Sequence, residues 1–171
     1  MPDDLLTSFI VAAEGLAPQV AAFAEEGERS RRLPLPLVEA MARAGLFRLW
    51  IPQALGGPEV DPMTFLRVVE TISMVDGSAG WCQLIAGSLS AFAGYLPMAG
   101  AQQIFGCDPL TVLSGSFAPF GQAVVAPGGY RVTGRWPLAS GCQHCSWLVG
   151  ACRVVDGDRP RLRSDGTRLY A

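Results

Sequence analysis

Pro127-Gly128-Gly129-Tyr130-Arg131-Val132-Thr133-Gly134-Arg135-Trp136-Pro137-Leu138-Ala139-Ser140-Gly141 is the stretch on which the fold of this chain turns. Proline fixes one backbone dihedral and glycine accepts a positive one, so Pro127-Gly128-Gly129 predicts a tight hairpin turn. The β-branched and aromatic residues of 130–136 then predict a strand, and similar short runs at 111–113, 123–125 and 147–155 predict others. Arg159 to Ala171 reads as the entry to a further strand.

Before residue 108 the periodicity is helical. Leu5, Phe9, Leu16, Val20 and Phe23 recur on one face of a first helix, which Gly15 and Pro18 are expected to kink or break. Pro36 and Gly45 bracket a second helix. Leu49 to Pro58 reads as a loop, and Asp61-Pro62 as the cap and first turn of a third helix carrying Phe65, Leu66, Val69 and Ile72. Asp76-Gly77-Ser78 ends that helix and caps a fourth, about 79–95, which carries Trp81, Leu84, Ile85, Ser88, Leu89 and Phe92 with small residues between them, a composition that permits close packing on several sides, and which is expected to be central. A short fifth helix starts at Pro97 and ends near Phe105-Gly106. Helices followed by strands predict a multi-domain α and β chain: an all-α domain over 1–108, then a partial antiparallel β-barrel-like domain over 109–171. Four or five strands in the second segment are thin for a complete β domain, so that domain is expected to be truncated.

The 171 residues include 13 arginines, no lysine and 15 acids, for a formal charge of -2, which leaves no basic surface for nucleic acid. A hydrophobic share of 50% is ample for a core and excludes disorder. Only 16% of residues are charged, against roughly 25% in typical globular proteins, so part of the surface is expected to be covered by a partner. Between Asp76 and Asp156 the only charges are Asp108, Arg131, Arg135 and Arg153. The uncharged run from Ala79 to Ala101 has the length of a membrane span, but Gln83, Ser88, Ser90, Gly87, Gly94 and Pro97 interrupt it, and it reads as a buried helix. Asp3 and Asp4 stand where a signal peptide needs positive charge, which predicts a cytoplasmic protein.

Five cysteines are an odd set without an export signal and are read as free thiols. Cys142-Gln143-His144-Cys145 has two thiols at chelating distance in sequence, yet His144 and Cys152 are the only further ligands nearby, so no metal site is expected. His144 is the sole histidine and the natural place to seek a general base, although a turn histidine is more often structural. No nucleophile elbow and no phosphate loop ending in Gly-Lys occurs, which removes the hydrolase and nucleoside triphosphatase readings. Trp136 and Leu138 leading into a Ser140-Gly141 turn combine apolar surface with a hydroxyl, the pair that a flavin ring needs.

Three stretches then coincide in order with one family. Leu46-Phe47 through Ile51-Pro52 to Leu55-Gly56-Gly57, Asp76-Gly77-Ser78-Ala79-Gly80-Trp81, and Gly129 to Ser140-Gly141 continuing to Trp147 resemble the N-terminal part of the acyl-CoA dehydrogenase family. That family includes a branch of flavin-dependent hydroxylases similar to 4-hydroxyphenylacetate monooxygenase. The resemblance spans nearly the whole chain but about the first half of a family member. It implies FAD, or alternatively FMN, with Ser140 hydrogen-bonding the flavin, Leu138 packing on its ring beside the Trp136 already singled out as apolar surface, and Ser114 and Ser116 in an upstream contacting loop. The usual Thr-Glu-Pro run is missing near those two serines. The dehydrogenase carboxylate belongs to a C-terminal bundle, so no catalytic residue is assigned within this chain. The main expectation is oxidation of a CH-CH group of an acyl thioester. Hydroxylation of an aromatic small molecule by reduced flavin and oxygen is the second, although 88–90 lack the histidine frequent in that branch. A non-catalytic, truncated helical interaction module is the third. The complete protein is expected to be a homo-oligomer, with no membrane or nucleic-acid partner.

Overall fold

A computed structural model describes residues 3–157 and 159–171, with side chains described from residue 7 onward. The place expected for Leu5 on the first helix's apolar face lies outside the described side chains. Two compact units form: Met1–Ser114 with Ser140–Trp147, and Gly115–Ala139 with Leu148–Ala171.

The first unit is helical. Helix α1, Asp3–Ser30, runs without a break through Gly15 and Pro18, contrary to the kink the sequence suggested. The carbonyl that Pro18 deprives of an N–H belongs to Glu14; both residues are exposed, so water can serve it, while Ala13 and Val20 are buried in the core. The segment Thr7–Ser30 is also long and apolar enough, by length and composition, to cross a membrane; the core helix of a soluble protein can have the same composition. Helix α2, Leu35–Arg43, buries Leu37, Val38, Met41 and Ala42. One tight turn at Gln53–Leu55 interrupts the loop before helix α3, Pro62–Ser73, where the Asp61 carboxylate accepts from Met63 N and Thr64 N.

Helix α4 spans Gly77–Leu89, shorter than expected, and tightens into a 3₁₀ turn at Ser90–Gly94. Asp76 Oδ1 accepts from Ala79 N at 2.7 Å and caps it. The helix packs closely, mostly through its small residues. The buried face is Ala79, Gly80, Gln83, Ala86, Gly87 and Leu89, whereas Trp81 stands 53% exposed. Small residues face inward because α3 passes close: a Cβ on Gly80 would collide with the Ser73 side chain and lie 2.7 Å from its Cα, and one on Gly87 would lie 2.7 Å from the Phe65 ring. Buried Gln83 reinforces the contact by donating from Nε2 to Leu46 O at 2.9 Å. Helix α5, Met98–Ala101, ends in a π-helical turn at Gln102–Gly106, and Arg48 closes that end by donating to Phe105 O and Asp108 O.

The second unit carries an open four-stranded sheet in the order β2-β1-β3-β4. The two runs expected at 111–113 and 123–125 are joined in a single strand β1, Leu113–Ala126. It turns at Pro127-Gly128, with Gly128 at φ +79°, into β2, Gly129–Thr133, in the register Ala126 opposite Gly129 and Gln122 opposite Thr133. Strand β3, Trp147–Asp156, pairs antiparallel with the two-residue β4, Arg159–Pro160. At its other edge the start of β3 lies against the start of β1, where Gly115 meets Val149, so the sheet is mixed: antiparallel at its edges and parallel in its central pair. It does not close into a barrel. Leu169 and Ala171 continue the pairing on β3 through Val154 and Cys152. The core of this unit is Ala123, Cys152 and Val154, covered by Trp136 and Leu169.

The α3–α4 crossing predicts opposite outcomes for two neighbouring glycines. Gly80→Ala should cost about 2 kcal/mol because backbone atoms of Ser73 cannot rotate away. Gly77→Ala, with nothing within 4 Å of the new methyl, should gain about 0.5 kcal/mol. Urea midpoints of the two variants check the pair.

Candidate functional site

In the first unit, residues 140–147 form a loop clipped to the chain at 112–114. Ser146 N and Trp147 N both donate to Val112 O, at 2.8 and 3.3 Å. At the other end Ser114, wholly buried, donates from Oγ to Ser140 O at 2.7 Å. Gly141 takes φ +84° and accepts at its carbonyl from His144 N, which folds 141–144 into a turn. A Cβ on Gly141 would press on His144 Nε2 at 3.1 Å, so the turn requires glycine twice over.

Ser140 opens this loop and is half-buried. Trp81, in the first turns of α4, donates from Nε1 to Ser140 Oγ at 2.9 Å. Among the described residues nothing takes the Ser140 hydroxyl proton. A serine hydroxyl has one proton to give and two lone pairs to offer, so this one is engaged as an acceptor and remains free to donate. The arrangement leaves one hydrogen-bond donor available to a group that presents an acceptor edge.

His144 sits beside it, with Nδ1 buried and without a hydrogen-bond partner among the described residues. Burial pushes its pKa below the usual imidazole value, so the ring is neutral at pH 7. Cys145 donates its thiol to Cys142 O at 3.5 Å; burial pushes its pKa up, as it does for Cys82, raised to about 11 by burial and then by the Asp76 carboxylate. These are protonated, unreactive thiols. Cys152 belongs to the core of the second unit, and among the described residues no three or more His, Cys, Asp or Glu side chains gather to hold a metal ion.

The second unit holds the remaining residues singled out in the sequence. The Trp136 ring lies over Gly121, Gly134 and Gly150, and its N–H donates to Ala151 O at 2.9 Å. Ser116 is half-buried in β1. Leu138 has φ +60° and is 94% exposed, an apolar side chain held out to solvent on a left-handed backbone. Both features cost free energy in the isolated unit. Trp81 is brought to Ser140 only by the fold; an aromatic one position after a buried glycine, at the start of a charge-free helix, is the sequence signal that marks it.

The sequence profile of the acyl-CoA dehydrogenase N-terminal domain matches residues 10–103. The chain belongs to the acyl-CoA dehydrogenase family. Within it, the chain is 36% identical over 153 residues to the flavin-dependent monooxygenase oxygenase subunit HsaA of Mycobacterium tuberculosis, covering 90% of this chain and 39% of the relative. The crystal structure of that HsaA monooxygenase superposes with a TM-score of 0.84, covering 91% of this chain and 41% of that one. XiaF from Streptomyces, solved in complex with FADH2 and glycerol, is 32% identical with a TM-score of 0.85 over 98% of this chain and 40% of its own. The oxygenase component of an FADH(2)-dependent resorcinol hydroxylase from Rhizobium is 32% identical over 140 residues, 80% of this chain and 34% of the relative. The chain therefore spans between 34% and 41% of the length of these acyl-CoA dehydrogenase-fold proteins. All three are named as monooxygenases, hydroxylases or flavin complexes, which moves the weight from acyl thioester oxidation, the first expectation, to the hydroxylase branch.

Two outcomes follow from the geometry. A histidine held neutral favours the folded state fully above pH 6.5, and that advantage declines as pH falls below 6.5, where the unfolded chain takes up a proton that the folded one resists. Urea midpoints should fall between pH 7.5 and 5.5 in the parent chain and change less in His144→Gln. Leu138→Gly should raise stability by about 1 kcal/mol, since it relieves the left-handed backbone and forfeits no burial.

Proposed function

We propose that this chain forms the helical and first sheet portions of the oxygenase component of a flavin-dependent monooxygenase that hydroxylates an aromatic small molecule. The observation that carries the reading is the match to HsaA across 90% of the chain, through the region that includes the Trp81–Ser140 pair. FAD is the favoured flavin because the relatives above 30% identity that name one name its reduced form, FADH2. Reduced flavin supplies the electrons with which dioxygen is activated for ring hydroxylation.

The protein's own residues bind and orient. Ser140 would donate a hydrogen bond from its hydroxyl to an acceptor on the flavin edge, with Gly141 beside it on a left-handed backbone. Neutral His144 adds no charge next to the site, so water exclusion there is not opposed by a buried ion. Acyl thioester oxidation remains the second reading, carried by the family profile itself.

The test supplies reduced FAD and a phenolic substrate and follows oxygen uptake and hydroxylated product. Product formation supports the reading, whereas bleaching of oxidised FAD by an acyl-CoA without oxygen uptake overturns it. Ser140→Ala should weaken reduced FAD binding about tenfold, the value of one hydrogen bond made where water is excluded.

A further inference from the structure

We propose that Trp81 is a positioning residue, which holds the Ser140 hydroxyl so that its proton points to the flavin. The inference rests on the flavin reading above and assigns a role to a residue outside the loop that contains the serine.

A serine at the mouth of a turn has an easier alternative than a ligand: its hydroxyl can rotate and donate to the backbone of its own turn. In this loop no such bond is made among the described residues. The indole N–H of Trp81 approaches Oγ at 2.9 Å and occupies one lone pair, which favours hydroxyl orientations with the proton directed away from the indole. The Ser140 peptide cannot turn to compensate, because buried Ser114 holds its carbonyl at 2.7 Å. Trp81 itself is fixed at its root: it follows Gly80, which lies against Ser73 at the α3–α4 crossing, and stands two residues after Ala79, whose amide Asp76 caps. Its ring is 53% exposed, so the side chain is not retained there to fill the core. Removing the N–H should release the hydroxyl to rotate, and the ligand must then order it on binding.

The experiment has two arms on the 171-residue chain. In the flavin-free protein, the Trp81 indole N–H resonance, identified by its loss in Trp81→Phe, should shift in Ser140→Ala; an unmoved resonance overturns the pairing without reference to flavin. In the second arm, anaerobic ultrafiltration measures the affinity for reduced FAD. Trp81→Phe should weaken binding about fivefold, and Trp81→Phe/Ser140→Ala should bind within twofold of Ser140→Ala alone, because the indole acts only through the hydroxyl. Losses that multiply in the double variant overturn the positioning role while leaving the flavin reading intact. If the parent chain retains no reduced FAD, the flavin reading falls and the role of Trp81 falls with it. Should Trp81→Phe not fold, sequential assignment identifies the indole resonance, and its shift in Ser140→Ala together with the binding loss in Ser114→Ala, which frees the same serine from its other side, decides the matter.

Discussion

The close passage of α3 and α4 is the constraint from which the first unit is built. Two side-chain-free positions seven residues apart, Gly80 and Gly87, lie against Ser73 and Phe65. Nearly two helical turns separate them, so both fall on one face, and the helices meet there through backbone and small atoms instead of long side chains. Long side chains would hold the axes further apart and could slide past one another; this seam has one register. It also reverses the ordinary amphipathic logic, because the bulky residue beside the seam is left to the surface. Trp81 stands out for that reason, and the hydroxyl of Ser140 is within its reach.

The loop at 140–147 is ordered by hydrogen bonds far more than by burial. Val112 O receives two of its amides, Ser114 holds its first carbonyl, and the 141–144 turn closes internally. Polar restraint of this kind fixes direction, which a ligand-facing hydroxyl requires, while leaving the surface uncovered. Nδ1 of His144 is the one buried side-chain polar atom of this loop without a partner among the described residues, and its cost is limited because the ring stays neutral.

The order of elements was legible in the sequence because capping and turn residues act locally. Asp61-Pro62, Asp76 and Pro127-Gly128 each do in three dimensions what their chemistry implies over a few residues. The errors arose where tertiary context overrides local rules. Gly15 and Pro18 predict a kink or break in α1, but the carbonyl that Pro18 leaves without a donor falls on the solvent face; the composition of α4 permits packing on several sides, but the proximity of α3 selects a face made mostly of its small residues. The parallel alignment of β1 with β3 depends on a pairing between segments about thirty residues apart, which periodicity does not encode. For the site, the serine and its glycine could be found by motif. The indole that meets the serine comes from a helix 59 residues earlier, a distance that no local pattern spans.

The sheet of the second unit has a bare border. All five residues of β2 are exposed, and the strand has a hydrogen-bonded neighbour on one side only. Tyr130 and Val132, each 49% exposed, flank a single charge at Arg131 along that border. Unpaired amides and carbonyls beside β-branched and aromatic side chains make a template for adding another strand, and one arginine is a modest guard against it. Chain-to-chain association in concentrated preparations is therefore directed to this border, and handling conditions that preserve the arginine's charge repulsion, such as low salt, oppose it.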